Sequence, residues 1–234
     1  MPSANNFETA RPARSAPPRR RRRRRRRLNP RPFLLLLLLA LVIGGVLFAR
    51  RSLAPAADSV PVPDYVKRDF LTVNPYSRPG DELKTIRGVV IHYVGNPSTT
   101  AKANRDYFES LSAGTDGTYA SSHFVVGLEG EVIQCVPLTE IAYASNSRNE
   151  DTVSIEVCHP DETGEFGPET YESVVRLTAW LCETFHLDPE SDVIRHYDVT
   201  GKYCPRYYVE NEDAWAALRS DVSDRIAQDQ AAAS

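Results

Sequence analysis

Arg87-Gly88-Val89-Val90-Ile91-His92-Tyr93-Val94-Gly95 decides the fold class of this chain. Gly88 to Val94 is an almost continuous apolar run, the pattern of a strand covered on both faces rather than wet on one. The segments around it alternate in kind. Thr99 or Thr100 is placed to cap a helix running through Tyr107, Phe108 and Leu111. Ser122–Val126 and Val132–Val136 read as two short strands joined by a hairpin at Glu129-Gly130, and Thr152–Val157 as another strand. Gly167-Pro168 opens a long helix with Val174, Leu177, Leu181 and Phe185 on one face, proline standing at the first helical position. A last helix lines up Trp215, Leu218, Val222 and Ile226. Strands interleaved with helices predict an α/β fold: a central mixed β-sheet flanked by helices, in a single domain.

Outside that domain the composition changes sharply. The chain has 234 residues and a formal net charge of −3, but residues 1–51 hold fourteen arginines and one acid, Glu8. That leaves 14 basic and 30 acidic residues in 52–234, a net charge of −16, which excludes a nucleic-acid-binding domain of the usual basic kind. Residues 1–32 read as a disordered, Arg-rich cytoplasmic tail containing nine consecutive arginines, Arg19 to Arg27. Phe33 to Ala49 is uncharged for seventeen residues, roughly 25 Å as a helix and at the short end of what spans a bilayer. Arginines crowd its N-terminal side, which predicts a single-pass anchor with the N-terminus cytoplasmic and the domain outside. The rival is a cleavable signal peptide, for which Ala54-Pro55-Ala56 offers a small-residue site. Against it, the apolar run exceeds the usual signal core and Arg50-Arg51 intervenes. The arginine run reads as a topology determinant with added attraction to anionic lipid. Residues 50–64 read as a linker, the folded domain as 65–228 beginning with a packed arm at Tyr65–Val73, and 229–234 as a disordered tail.

The chemistry starts from Arg195-His196-Tyr197-Asp198-Val199-Thr200-Gly201-Lys202-Tyr203-Cys204-Pro205. Imidazole nitrogen and thiolate sulfur both ligate zinc, and a catalytic tetrahedral site needs three protein ligands with one position open. His92, near the end of its apolar strand, is the candidate third ligand. In Thr152-Val153-Ser154-Ile155-Glu156-Val157-Cys158 alternation puts Thr152, Ser154, Glu156 and Cys158 on one face. A carboxylate on a central strand is costly without a partner or a task. Glu156 therefore reads as a general base for a metal-activated water, the competing reading being a surface glutamate on an edge strand.

Ile91-His92, Asn149-x-x-Thr152-Val153-x-Ile155-Glu156 and His196-x-x-x-x-Gly201-Lys202-x-Cys204-Pro205 together resemble the zinc-dependent N-acetylmuramoyl-L-alanine amidases. The resemblance is to the branch shared by phage endolysins, bacterial autolysins and peptidoglycan recognition proteins. It covers roughly residues 85–225 and includes the Trp215-x-x-Leu218 helix. It implies a zinc ion held by His92, His196 and Cys204, Glu156 as catalytic acid/base and Lys202 as oxyanion stabiliser. It also implies a peptidoglycan substrate cut between N-acetylmuramic acid and L-alanine. The catalytic domain is expected to be monomeric and, from the charge split and the apolar run, to meet no nucleic acid and to reach the membrane through the anchor.

There are departures from that pattern. Tyr93-Val94-Gly95-Asn96 replaces a short polar run, and Gly114-Thr115-Asp116-Gly117-Thr118 is an insertion before His123. His123 reads as a core or supporting residue rather than a ligand, and His159 and His186 as ordinary surface or helix-end residues. Cys135, Cys158 and Cys182 read as buried thiols, with a Cys135–Cys158 disulfide left open. Two other classes compete: a peptidoglycan-binding module without hydrolysis, and a membrane-tethered interaction protein whose zinc is structural. The first predicts a missing metal ligand, whereas all three positions are filled here.

Overall fold

The computed structural model describes residues 41–42, 60–115 and 117–234. The tail 1–32, residues 50–59 and the candidate span, except for the helical and exposed Leu41 and Val42, lie outside the described residues. Among the described residues no helix is long and apolar enough to cross a membrane. Residues 60–234 belong to one compact unit.

Six strands form its sheet: β1 (Val66–Arg68), β2 (Val89–Tyr93), β3 (Phe124–Val126), β4 (Val132–Gln134), β5 (Val153–Val157) and β6 (Val193–Arg195), in the spatial order β1-β4-β3-β5-β2-β6. Only the β3–β4 pair is antiparallel, so the sheet is mixed, as expected. The decisive strand β2 lies between β5 and β6, with Val89, Val90, Ile91 and His92 all buried. Its apolar run has the cause inferred for it: both faces are covered.

The helices are α1 (Ala101–Ser110), α2 (Pro168–Phe185), α3 (Pro189–Asp192), α4 (His196–Thr200), α5 (Arg206–Glu210) and α6 (Glu212–Ala232). Thr100 caps α1, its side chain accepting from the Ala103 N–H. Helix α2 has Pro168 in its first turn and ends at His186, whose φ of 56° is left-handed. The hairpin between β3 and β4 turns through Gly130, where φ is 78° and a Cβ would stand 2.7 Å from the Glu169 carbonyl oxygen. Only glycine fits there without displacing α2.

One apolar cluster lies on the sheet face bearing Val89, Ile91, Val153, Ile155 and Val157 and includes Val174, Leu177, Leu181 and Phe185 of α2 and Trp215, Leu218 and Val222 of α6. Each large apolar side chain fully buried there stabilises the fold by about 1.5–3 kcal/mol. A second cluster gathers Leu71, Phe108, Leu111, Val125, Ile133, Cys135 and Cys158. His92 and Glu156 alternate with the first cluster's residues on their strands, so they face away from α2 and α6. The sheet thus divides packing from chemistry.

Two strands, β1 and β6, go beyond those read from the sequence; Val66-Lys67-Arg68 and Val193-Ile194-Arg195 hold one and two apolar residues and show no apolar run. The expected packed arm is in part β1, which pairs with β4, while Leu71 is buried. Val60 and Val62 already pack on the first cluster, so ordered packing begins before residue 65. The cysteines are free. Cys135 follows β4 beside the start of β3 and Cys158 follows β5 beside its end, Cys135 N–H donating to His123 O and Cys158 N–H to Val126 O. His159 is a correction: it is 1 % exposed, its ring stacked on Tyr93 at 5.1 Å.

Candidate metal centre

Three adjacent parallel strands assemble the site. His92 on β2 is the direct register partner of Glu156 on β5, which sets the two side chains next to each other on one face. On the other side Ile91 pairs with Arg195 of β6, and His196 follows at once as the first residue of α4. Arg195 fixes how that helix leaves the strand. Its backbone N–H donates to Asp198 Oδ2, while its guanidinium donates to Asp198, Glu212 and the Tyr208 carbonyl. Helix α4 stops at Gly201, where φ is 77°, and the chain returns so that the Tyr197 N–H donates to the Cys204 carbonyl at 3.0 Å. That turn brings Cys204 beneath the two histidines.

His92, His196 and Cys204 are all buried, and their ligand atoms lie within 4.8 Å of one another. His92 Nδ1 is 3.8 Å from Cys204 Sγ and 4.0 Å from Glu156 Oε1, and the two imidazole centroids are 4.6 Å apart. A tetrahedral zinc ion would hold such atoms roughly 3.3–3.6 Å apart, so the cluster needs only a slight contraction. His92 Nε2 lies 3.1 Å from Ser145 Oγ and His196 Nε2 lies 3.0 Å from Asn146 Oδ1. His196 Nδ1 and Glu156 Oε2 are buried with no hydrogen-bond partner. Orphaned buried polar atoms are costly, and here one points to an ion among two imidazoles and a thiol.

The electrostatics agree. Burial drives the His92 pKa well below the ordinary histidine value, helped by His196 and Lys202, and burial and Lys202 lower that of His196. Both rings are therefore held neutral, the form that ligates metal. Burial pushes the Cys204 thiol up to about 12, with Glu156 adding to it, and pushes the Glu156 carboxyl up to about 8 against the opposing charge of Lys202. A bound dication opposes both shifts, because it stabilises thiolate and carboxylate. The cluster fits a catalytic zinc ion.

His123 is no ligand. Its Nδ1 accepts from the Ser154 N–H at 3.1 Å, and its Nε2–H donates to the Glu140 carbonyl at 3.0 Å. It is the buried core residue expected. Ser145 and Asn146 were not singled out from sequence; the one signal in their neighbourhood was Asn149. The Asn149 Oδ1 accepts from the Ala144 and Ser145 N–H groups and so shapes their loop.

This fold and donor set define an α/β protein with a two-histidine, one-cysteine metal centre. The profile of the Amidase_2 family, described as N-acetylmuramoyl-L-alanine amidase, matches residues 82–207. The chain is 30 % identical over 177 residues to the N-acetylmuramoyl-L-alanine amidase BlyA of Bacillus subtilis (strain 168), covering 67 % of this chain and 46 % of that protein. It is 32 % identical over 173 residues to a probable N-acetylmuramoyl-L-alanine amidase of Bacillus licheniformis, covering 69 % and 48 %. The solved catalytic domain of XlyA shares the fold, with a TM-score of 0.56 at 23 % identity over 67 % of this chain and 98 % of that domain. The chain belongs to the N-acetylmuramoyl-L-alanine amidase family. It spans about half the length of the curated relatives it matches.

Proposed function

We propose that this protein is a zinc-dependent peptidoglycan amidase that hydrolyses the amide between N-acetylmuramic acid and the L-alanine of the stem peptide. The observation that carries the proposal is the buried cluster of His92, His196 and Cys204 with the Glu156 carboxyl 4.0 Å from His92. His92, His196 and Cys204 would hold the ion. Zinc, when bound, supplies Lewis acidity, polarising the scissile carbonyl and making a water acidic enough to ionise near neutral pH.

The chain's own groups do the rest. Glu156, with its unpartnered Oε2, takes a proton from the attacking water and delivers it to the leaving amine. The proton that Glu156 gains in the first transfer is the one it gives up in the second, so a single carboxyl serves as base and then as acid. Lys202 lies close enough for its charge to act on His92, Glu156, His196 and Cys204. Its ammonium stabilises the negative charge that develops on the carbonyl oxygen. Mass spectrometry of purified sacculi incubated with the full-length chain tests the activity. Released stem peptides beginning with L-alanine are expected; intact sacculi would leave a peptidoglycan-binding module without hydrolysis.

We further propose that residues 33–49 anchor the chain in the cell membrane, with residues 1–32 cytoplasmic and the catalytic domain, which packs from Val60 onward, extracytoplasmic. The charge split across the apolar run supports this orientation. External protease should digest the domain in intact spheroplasts. Protection there refutes the orientation, and a mature N-terminus near Ala57 refutes the anchor.

A further inference from the structure

Ser145 and Asn146 are adjacent in sequence, yet they touch imidazoles that come from different strands. Asn146 Oδ1 is an acceptor and nothing else, so the 3.0 Å contact requires His196 Nε2 to carry the proton. Nδ1 of that neutral ring then bears the lone pair, and this is the atom left buried without a partner. For His92 the serine hydroxyl can donate or accept, so the proton is placed from the ring's other side. Nδ1 faces Cys204 Sγ and Glu156 Oε1 at the metal position and leaves Nε2–H to donate to Ser145 Oγ.

The loop that carries the pair is held independently of any ion. Asn149 Oδ1 accepts from Ser145 N–H at 2.6 Å and from Ala144 N–H at 3.2 Å. The Thr152 hydroxyl, beside β5, donates to the Arg148 carbonyl at 2.6 Å, which ties the loop to the sheet. Asn146 itself has φ of 51°, a left-handed conformation that asparagine adopts more readily than most residues. Ser145 is 1 % exposed, so water does not compete for its hydroxyl.

From this geometry we propose that Ser145 and Asn146 are positioning residues that lock His92 and His196 together in the Nε2–H tautomer and aim both Nδ1 lone pairs at the metal position. Partners of this sort orient a ligand ring and raise its basicity, and their loss weakens metal affinity about 10–100-fold. One rigid turn thereby presets two of the three ligands before the ion arrives.

The inference rests on the metal-centre reading, and its test separates the two. Zinc affinity of the full-length chain in detergent is measured by chelator competition. The histidine tautomers of the metal-free protein are read from 15N chemical shifts. Asn146→Gly keeps the left-handed backbone and removes only the acceptor. It should weaken zinc binding about 10–100-fold and release the tautomer of His196 while leaving His92 unchanged. Ser145→Ala should do the reverse, releasing His92 alone. Asn146→Asp restores an acceptor and should restore both affinity and tautomer. Wild-type affinity in both Asn146→Gly and Ser145→Ala overturns the inference, as does weaker binding with both tautomers unmoved. A wild-type protein that binds no zinc overturns the metal-centre reading itself.

Discussion

Replacing Glu156 by glutamine separates its proton chemistry from the stability of its pocket. In the metal-free protein the carboxyl has a pKa of about 8 because burial disfavours its charged form, against 4.5 for the ordinary group. The folded state thus keeps a proton between pH 4.5 and 8 that the unfolded chain releases. Stability must fall as pH rises through that window. At about 1.4 kcal/mol per unit, full burial would make the penalty about 5 kcal/mol at pH 8. The side chain retains 18 % of its surface, although Oε2 is enclosed. Water reaching the group reduces the expected penalty to about 2–4 kcal/mol. Glutamine is nearly isosteric and carries no charge. Metal-free Glu156→Gln should therefore match the parent near pH 4.5 and exceed it by about 2–4 kcal/mol at pH 8, read by urea denaturation of chelator-treated protein. Loaded with zinc, the same variant should keep its metal and its KM while kcat falls about 10²–10⁴-fold. Parental hydrolysis by the variant would refute the proton-transfer role. Loss of zinc would make Glu156 a structural part of the centre, and parallel pH–stability curves would refute the desolvated pocket.

Cys204→Ser replaces a thiolate by a neutral hydroxyl and should abolish retention of zinc through dialysis; unchanged zinc content removes Cys204 from the centre. Lys202→Ala should lower kcat by a smaller factor than Glu156→Gln and keep the ion, since Lys202 acts through its charge and is not a ligand; zinc loss or parental kcat contradicts that role. His123, buried with a pKa of about 4, is kept neutral while the unfolded chain protonates it below its usual 6.5. Its contribution is therefore present above pH 6.5 and lost towards pH 4, about 3 kcal/mol in all. His123→Gln should flatten that acid limb in denaturation curves, and an unaltered slope would assign the acid sensitivity to other groups.

What local pattern encodes was legible in the sequence. The both-faces apolar run at Gly88–Val94 identified a covered strand, proline and the apolar spacing from Pro168 identified α2, and alternation at Thr152–Cys158 put Glu156 on the face opposite Val153, Ile155 and Val157. The three separated blocks named His92, His196 and Cys204, and those residues meet. Short or nonlocal features were not legible. Strands β1 and β6 hold one and two apolar residues, too few to mark a strand, and exist because the sheet offers them an edge. His159 lies in a polar stretch that reads as surface, yet the ring of Tyr93 covers it. Ser145 and Asn146 are ordinary loop residues until folding carries their turn to His92 and His196, which lie 53 and 50 residues away in sequence. A ligand set is recorded in sequence because its residue types are chemically rare. The residues that aim it supply only a hydroxyl or an amide oxygen, which many side chains and every backbone offer, so tertiary structure alone decides which ones serve.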